Sequence, residues 1–244
     1  MRKMLAATAM GLALLLSGCG QKDGGDNATA KAAIEAPYTG QDWSQSVVKT
    51  ADGGFRMGKA DAPVKLIEYA SLTCPHCRDF TKEAADPLKQ KYVRTGKVSW
   101  EFRNFVLNKL DLGATLVARC QGAGTFFPMI EQLYATQTEW LGKLNSVDEA
   151  QLRAIDALPH EENRMKLVEV TGLDEFFKTH GVPSDRIKSC LTDKAGIDEV
   201  LKIMDHATKV MKVEGTPAFF IDGELQEGVY DWKGLEAALN ERVN

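Results

Sequence analysis

The chain has 244 residues, 44% of them hydrophobic and 26% charged, which is ordinary for a folded protein and excludes disorder over most of its length. Its formal net charge of −4, from 30 basic and 34 acidic residues mixed along the sequence, leaves no basic stripe to neutralise phosphates, so no nucleic-acid partner is expected. Five cysteines, at positions 19, 74, 77, 120 and 190, are too few for a small disulfide scaffold; they divide into one near the start and four that could pair.

Arg2 and Lys3 precede an apolar run over residues 5–16 that is too short to cross a hydrocarbon core of about 30 Å. The pattern predicts an export signal. The run ends in Leu16-Ser17-Gly18-Cys19, which resembles the lipobox of bacterial lipoproteins. That resemblance implies a signal peptide over residues 1–18, lipid on Cys19, and a membrane tether. The alternative is an ordinary secretory signal cut after Ala28-Thr29-Ala30, giving a soluble periplasmic protein. Residues 19–36 hold the lipid-bearing cysteine and a stretch rich in Gly, Ala, Asp and Lys, a flexible tether with an r.m.s. reach of roughly 20–25 Å. Either way the folded part is expected in the bacterial cell envelope, facing the periplasm, where disulfides persist.

Residues 64–70 are β-rich, bounded by Pro63 before and Ser71-Leu72-Thr73 after, and predict a buried central strand. A helix is expected from Pro75 to about Tyr92, kinked at Pro87, followed by a second strand over residues 97–105. Helical patterns then run over residues 112–120, 126–134, 147–158, 162–177, 184–191 and 195–213. Strand signals return at 217–221 and 224–229 around Asp222-Gly223, a hairpin signature, and a terminal helix follows with Asp231 as its cap. This order predicts an α/β core interrupted by a helical insertion. The corresponding division is core over residues 37–106, insertion over 107–213, and the rest of the core over 214–244.

Cys74-Pro75-His76-Cys77 carries the chemistry. A C-x-x-C pair after a strand and at the mouth of a helix sets its first sulfur against backbone N–H groups and the positive end of the helix dipole, which favours the thiolate. Cys74 is therefore expected to be the exposed, attacked sulfur, with Pro75 starting the helix, His76 adding a donor or a charge, and Cys77 one turn deeper as the resolving thiol. A C-x-x-C pair can also be half of a zinc site, but Cys120 and Cys190 are isolated, so no metal and no bound cofactor is expected.

With its Pro-His dipeptide the chain resembles the DsbA-like family of the thioredoxin superfamily, over nearly everything after the tether. The resemblance implies a thioredoxin-like fold with the helical insertion between the second core strand and a cis-proline hairpin. It also implies a buried acid, Glu68, beneath the redox pair, and a cis peptide at Thr216-Pro217 that presents its backbone to an extended substrate. Cys120 and Cys190 are expected to form a structural disulfide of the kind some DsbA-like proteins carry in the insertion; two unpaired core thiols are the alternative.

The function so implied is that of a monomeric thiol:disulfide oxidoreductase donating the Cys74–Cys77 disulfide to reduced, unfolded exported polypeptides and recharged by a DsbB-type membrane oxidase. Thr216 stands where the best-known oxidases have valine and is similar to the isomerase and reductase branches, so an electron-donating membrane partner stays open. A redox-inert, peptide-binding lipoprotein of the same fold is the reading from another class.

Overall fold

The computed structural model describes residues 40–243, so the expected export signal, Cys19 and the whole of the expected tether lie outside the described residues. Among them a sheet runs in the order β1 (Val47–Lys49), β2 (Phe55–Met57), β4 (Val98–Asn104), β3 (Val64–Ala70), β5 (Ala218–Ile221), β6 (Glu224–Leu225). Only β3 and β4 pair in parallel, and α1 (Pro75–Pro87) is the crossover that such a pair needs. The other neighbours are antiparallel.

Alternation along β3 sorts the core into two sides. Leu66, Glu68 and Ala70 share a face with Trp100 and Phe102 of β4, and this face belongs to the large cluster containing Cys74, Cys77 and Phe80 of the α1 region. Phe80 meets Phe219 of β5 with ring centroids 4.5 Å apart, joining α1 to the sheet. Tyr69 and Phe220 face the other way, onto Ile203 and Ala207 of α9 (Lys194–Lys209).

Pro87 ends α1 and a π-helical turn, Leu88–Val93, follows it. Proline lacks the N–H for the regular ladder and its ring crowds the preceding turn, so the wider turn takes over where the kink was expected. Between β4 and β5 lie α2 (Lys109–Cys120), α3 (Ala123–Ala135), α4 (Gln137–Gly142), α5 (Glu149–Asp156), α6 (His160–Val170), α7 (Leu173–Thr179), α8 (Ser184–Thr192) and α9. The terminal helix is α10 (Trp232–Val243), and the Gly234 N–H donates to Asp231 Oδ1 at 2.8 Å, a capping bond.

Four expectations need correction. β1 and β2 were not anticipated: at three residues each they carry no readable period, and they exist because β2 pairs onto β4. The helix expected over 162–177 is two helices, α6 and α7, because Gly172 sits at φ 68° in the left-handed region that ends a helix. The helix expected to reach residue 213 stops at Lys209, and Lys212 follows at φ 57°. The hairpin strand expected over 224–229 is only Glu224–Leu225: the chain turns at Gly228, φ 74°. The hairpin turn itself matches the sequence, with Asp222 and Gly223 both at positive φ.

Cys120 of α2 and Cys190 of α8 are joined by a disulfide, with Cα atoms 6.0 Å apart. It closes a loop across most of the helical block.

Candidate active site

β3 ends at Ala70, and residues 71–74 carry the chain from the sheet to the first turn of α1. Cys74 is the N-cap of α1, with extended backbone at φ −80° and ψ 124°, and Pro75 occupies the first helical position. No side chain caps this helix end, so its leading N–H groups are left facing the Cys74 sulfur. Pro75 and His76 are exposed, whereas Cys77, one turn in, is fully buried.

The expectation of an exposed Cys74 needs correction: only 6% of it is accessible. What covers it is the loop opposite. The Thr216-Pro217 peptide is cis, and the Cys74 thiol donates to the Thr216 carbonyl at 3.3 Å. Pairing of β5 with β3 places this loop, because Ala218, the residue after Pro217, is in register with Tyr69. Beside it a cleft of about 940 Å³ opens, lined by His76, Thr216, Pro217, Gln226, Gly228 and Tyr230 among others.

Cys74 and Cys77 are both free thiols, and their surroundings push them apart in acidity. Cys74 is held down at about 5. The chief cause is the hydrogen bond from the Cys77 thiol; burial opposes it, and the backbone N–H groups of Cys77 and His76 reinforce it. Cys77 is pushed well above the usual thiol range by burial, with the Cys74 sulfur adding to the effect and Glu68 doing so only once it ionises. Glu68 is fully buried on the sheet face beneath α1. Trp100 Nε1 donates to its Oε2 at 3.0 Å, while Oε1 has no hydrogen-bond partner among the described residues. Burial raises this carboxyl to about 8, the indole bond pulling weakly the other way, so near neutrality the acid is largely protonated.

The structure thus brings Glu68, Cys74, Pro75, His76, Cys77, Thr216 and Pro217 into one region and leaves Cys120 and Cys190 outside it. Sequence reasoning missed Trp100, Asp111, Tyr134 and Gln137. The first holds Glu68. The other three belong to α2, α3 and α4 and bond to residues 71–74. Trp100 was findable, since strand alternation puts it on the same face as Glu68.

The family model described as Thioredoxin matches residues 50–241. This chain belongs to that family. Within it the fold is of the DsbA-like kind. The crystal structure of protein-disulfide isomerase from Novosphingobium aromaticivorans is similar at 30% identity and a TM-score of 0.76, over 80% of this chain and 100% of that one. The structure of α-DsbA1 from Wolbachia pipientis shares the fold at 23% identity and a TM-score of 0.61, over 77% of this chain and 89% of that one. A Rickettsia bellii protein whose name assigns it to the protein-disulfide oxidoreductases is 27% identical over 195 residues, 80% of this chain and 66% of its own length. The match therefore spans just under two thirds of that relative.

Proposed function

We propose that this DsbA-like chain is a thiol:disulfide oxidoreductase that donates a disulfide to reduced polypeptides. A substrate thiolate attacks the oxidised pair at Cys74 and forms a mixed disulfide, and the bond between the two enzyme sulfurs breaks with its electron pair on Cys77. A second substrate thiolate then attacks the substrate's sulfur in the mixed disulfide, and Cys74 leaves as a thiolate. The substrate loses two electrons and two protons; the enzyme ends as Cys74 thiolate and Cys77 thiol, with one proton to the solvent. Glu68, uncharged and buried beneath the pair, is placed to pass a proton to Cys77 as that sulfur is released. Pro217 and Thr216 present the backbone against which an extended segment lies beside Cys74.

The observation that carries this reading is the asymmetry of the two thiols. A Cys74 sulfur stabilised as thiolate at the start of α1 favours the reduced pair, which makes the disulfide the more readily given up. Replacing Cys74 with serine is expected to abolish exchange; a Cys77→Ser chain has no disulfide to give, and its lone Cys74 thiolate is expected to attack glutathione disulfide, release one glutathione thiolate and keep the other half as a mixed disulfide detectable by mass. Exchange retained by Cys74→Ser would refute it.

Thr216 favours a second reading, an isomerase or reductase, and the name of the Novosphingobium structure points the same way. An extracytoplasmic location and a lipid tether are part of the proposal and rest on residues 1–19; recharging by a DsbB-type membrane oxidase rests on the family. Among the described residues no helix is long and apolar enough to cross a membrane.

A further inference from the structure

Residues 71–74 are tied by hydrogen bonds at several points, and side chains of the helical block make most of these bonds. Asp111, fully buried in the first turn of α2 and pushed up to about 6 by burial, accepts four hydrogen bonds on the two oxygens of its carboxyl group. Its Oδ1 takes the Leu72 N–H at 3.1 Å and the Thr115 hydroxyl at 3.4 Å. Its Oδ2 takes the Ser71 hydroxyl at 2.6 Å and the Leu107 N–H at 2.9 Å, so one side chain ties the loop before Cys74 to the loop before α2. A single amide nitrogen of Gln137, itself 1% exposed, donates to the carbonyls of both Leu72 and Cys74, at 2.8 and 2.9 Å. Tyr134 donates to the Ser71 carbonyl at 2.9 Å, and Asn108 Nδ2 to Thr73 Oγ1 at the same distance.

We propose that Asp111 and Gln137 are positioning residues for the nucleophile: they fix residues 71–74 in the one conformation in which the Cys74 sulfur meets the first N–H groups of α1. The inference rests on the reading of Cys74 as the attacked sulfur and adds that the helical block sets its reactivity. The Cys74 carbonyl explains why. It accepts both from Gln137 and from the Arg78 N–H at 3.2 Å, the first bond of the helix ladder, so its direction decides how the N-cap residue sits on the helix. Without the Gln137 amide, the Leu72 carbonyl is left buried and unpaired, and the segment relaxes away from that geometry. Asp111 is equally specific in chemistry. Backbone N–H groups approach both of its oxygens, so an asparagine must turn its NH₂ toward one of two donors.

The test uses the reduced chain and reads the Cys74 thiolate by its ultraviolet absorbance against pH, which needs no substrate. Gln137→Met, matched in length but without a donor, and Asp111→Asn are each expected to raise the Cys74 midpoint by about one unit, a tenfold loss of thiolate at fixed low pH. Asn163→Ala serves as control. It removes a buried bond of the same kind, Asn163 Nδ2 to the Ile155 carbonyl at 2.7 Å, inside the helical block, and is expected to lower stability without moving the midpoint. If Asp111→Asn does not fold, Gln137→Met decides alone. An unmoved midpoint in a folded Gln137→Met, an equal rise in Asn163→Ala, or a parent Cys74 titrating near 9 would each overturn the proposal. A raised midpoint in a chain that exchanges no disulfides would uphold it and refute the proposed function instead.

Discussion

Glu68 offers a sharp test of the electrostatics beneath the redox pair. Its carboxyl is fully buried, has one hydrogen bond, and is raised from 4.5 to about 8, chiefly by loss of solvent. The sign follows from proton binding. Between those two values the unfolded chain has released a proton that the folded chain keeps, so the stability tied to this group is fully present below 4.5 and is lost as pH rises through about 8. At 1.36 kcal/mol per unit the full loss is about 5 kcal/mol, a large part of the 5–15 kcal/mol that typically separates folded from unfolded. Glu68→Gln keeps an acceptor for the Trp100 indole and cannot ionise. Other groups titrate over the same range, so the quantity to follow is the difference in unfolding free energy between variant and parent, from urea melts of the reduced protein at pH 5, 6.5, 8 and 9. That difference should move by several kcal/mol in favour of the variant as pH rises. A difference constant to within about 0.5 kcal/mol across the range would show that Glu68 titrates as an ordinary carboxyl, and the role given to it in protonating Cys77 would fall.

Two further expectations concern the cysteines. Alkylation of Cys74 should reach half its maximal rate near pH 5, and because this midpoint lies below that of an unfolded thiol, the contribution of Cys74 to the stability of the reduced fold should grow as pH rises from about 5 toward 9, opposing that of Glu68, so that a Cys74→Ser variant loses stability relative to the parent over this range; a half-maximal rate near pH 9 would contradict both. Replacing Cys120 and Cys190 together with serine opens a loop spanning 70 residues and should cost at most roughly 4 kcal/mol, visible as a lowered Tm, while exchange at Cys74 continues at the parent rate below the melting transition; a simultaneous loss of exchange would show the bridge to be part of the chemistry.

Local signals made some elements readable and geometry hid others. β3 matches its sequence span residue for residue, because seven β-rich residues between turn signals have no competing reading. The redox tetrapeptide declared itself by spacing, and the cis peptide at Pro217 followed only once the family resemblance was joined to its place between a helical block and a hairpin. Gly172 was available as a helix breaker in the sequence, but the apolar period runs on through it and masked the break. Asp111 and Gln137 were not legible, since a lone polar residue in an amphipathic stretch reads as surface. Only the tertiary arrangement brings α2 and α4 against residues 71–74 and turns those side chains into clamps. Cys74 was misjudged for the same reason: its cover comes from Thr216, which lies 142 residues away in the chain.

The proposal that this chain gives up disulfides is tested most directly by the reduction potential of Cys74–Cys77, measured by equilibrating the protein with glutathione buffers and counting free thiols by alkylation. A thiolate favoured at the helix start calls for a value more oxidising than the glutathione couple, above about −220 mV. A value near −270 mV, roughly that of thioredoxin, would contradict it and assign the chain to the reducing direction.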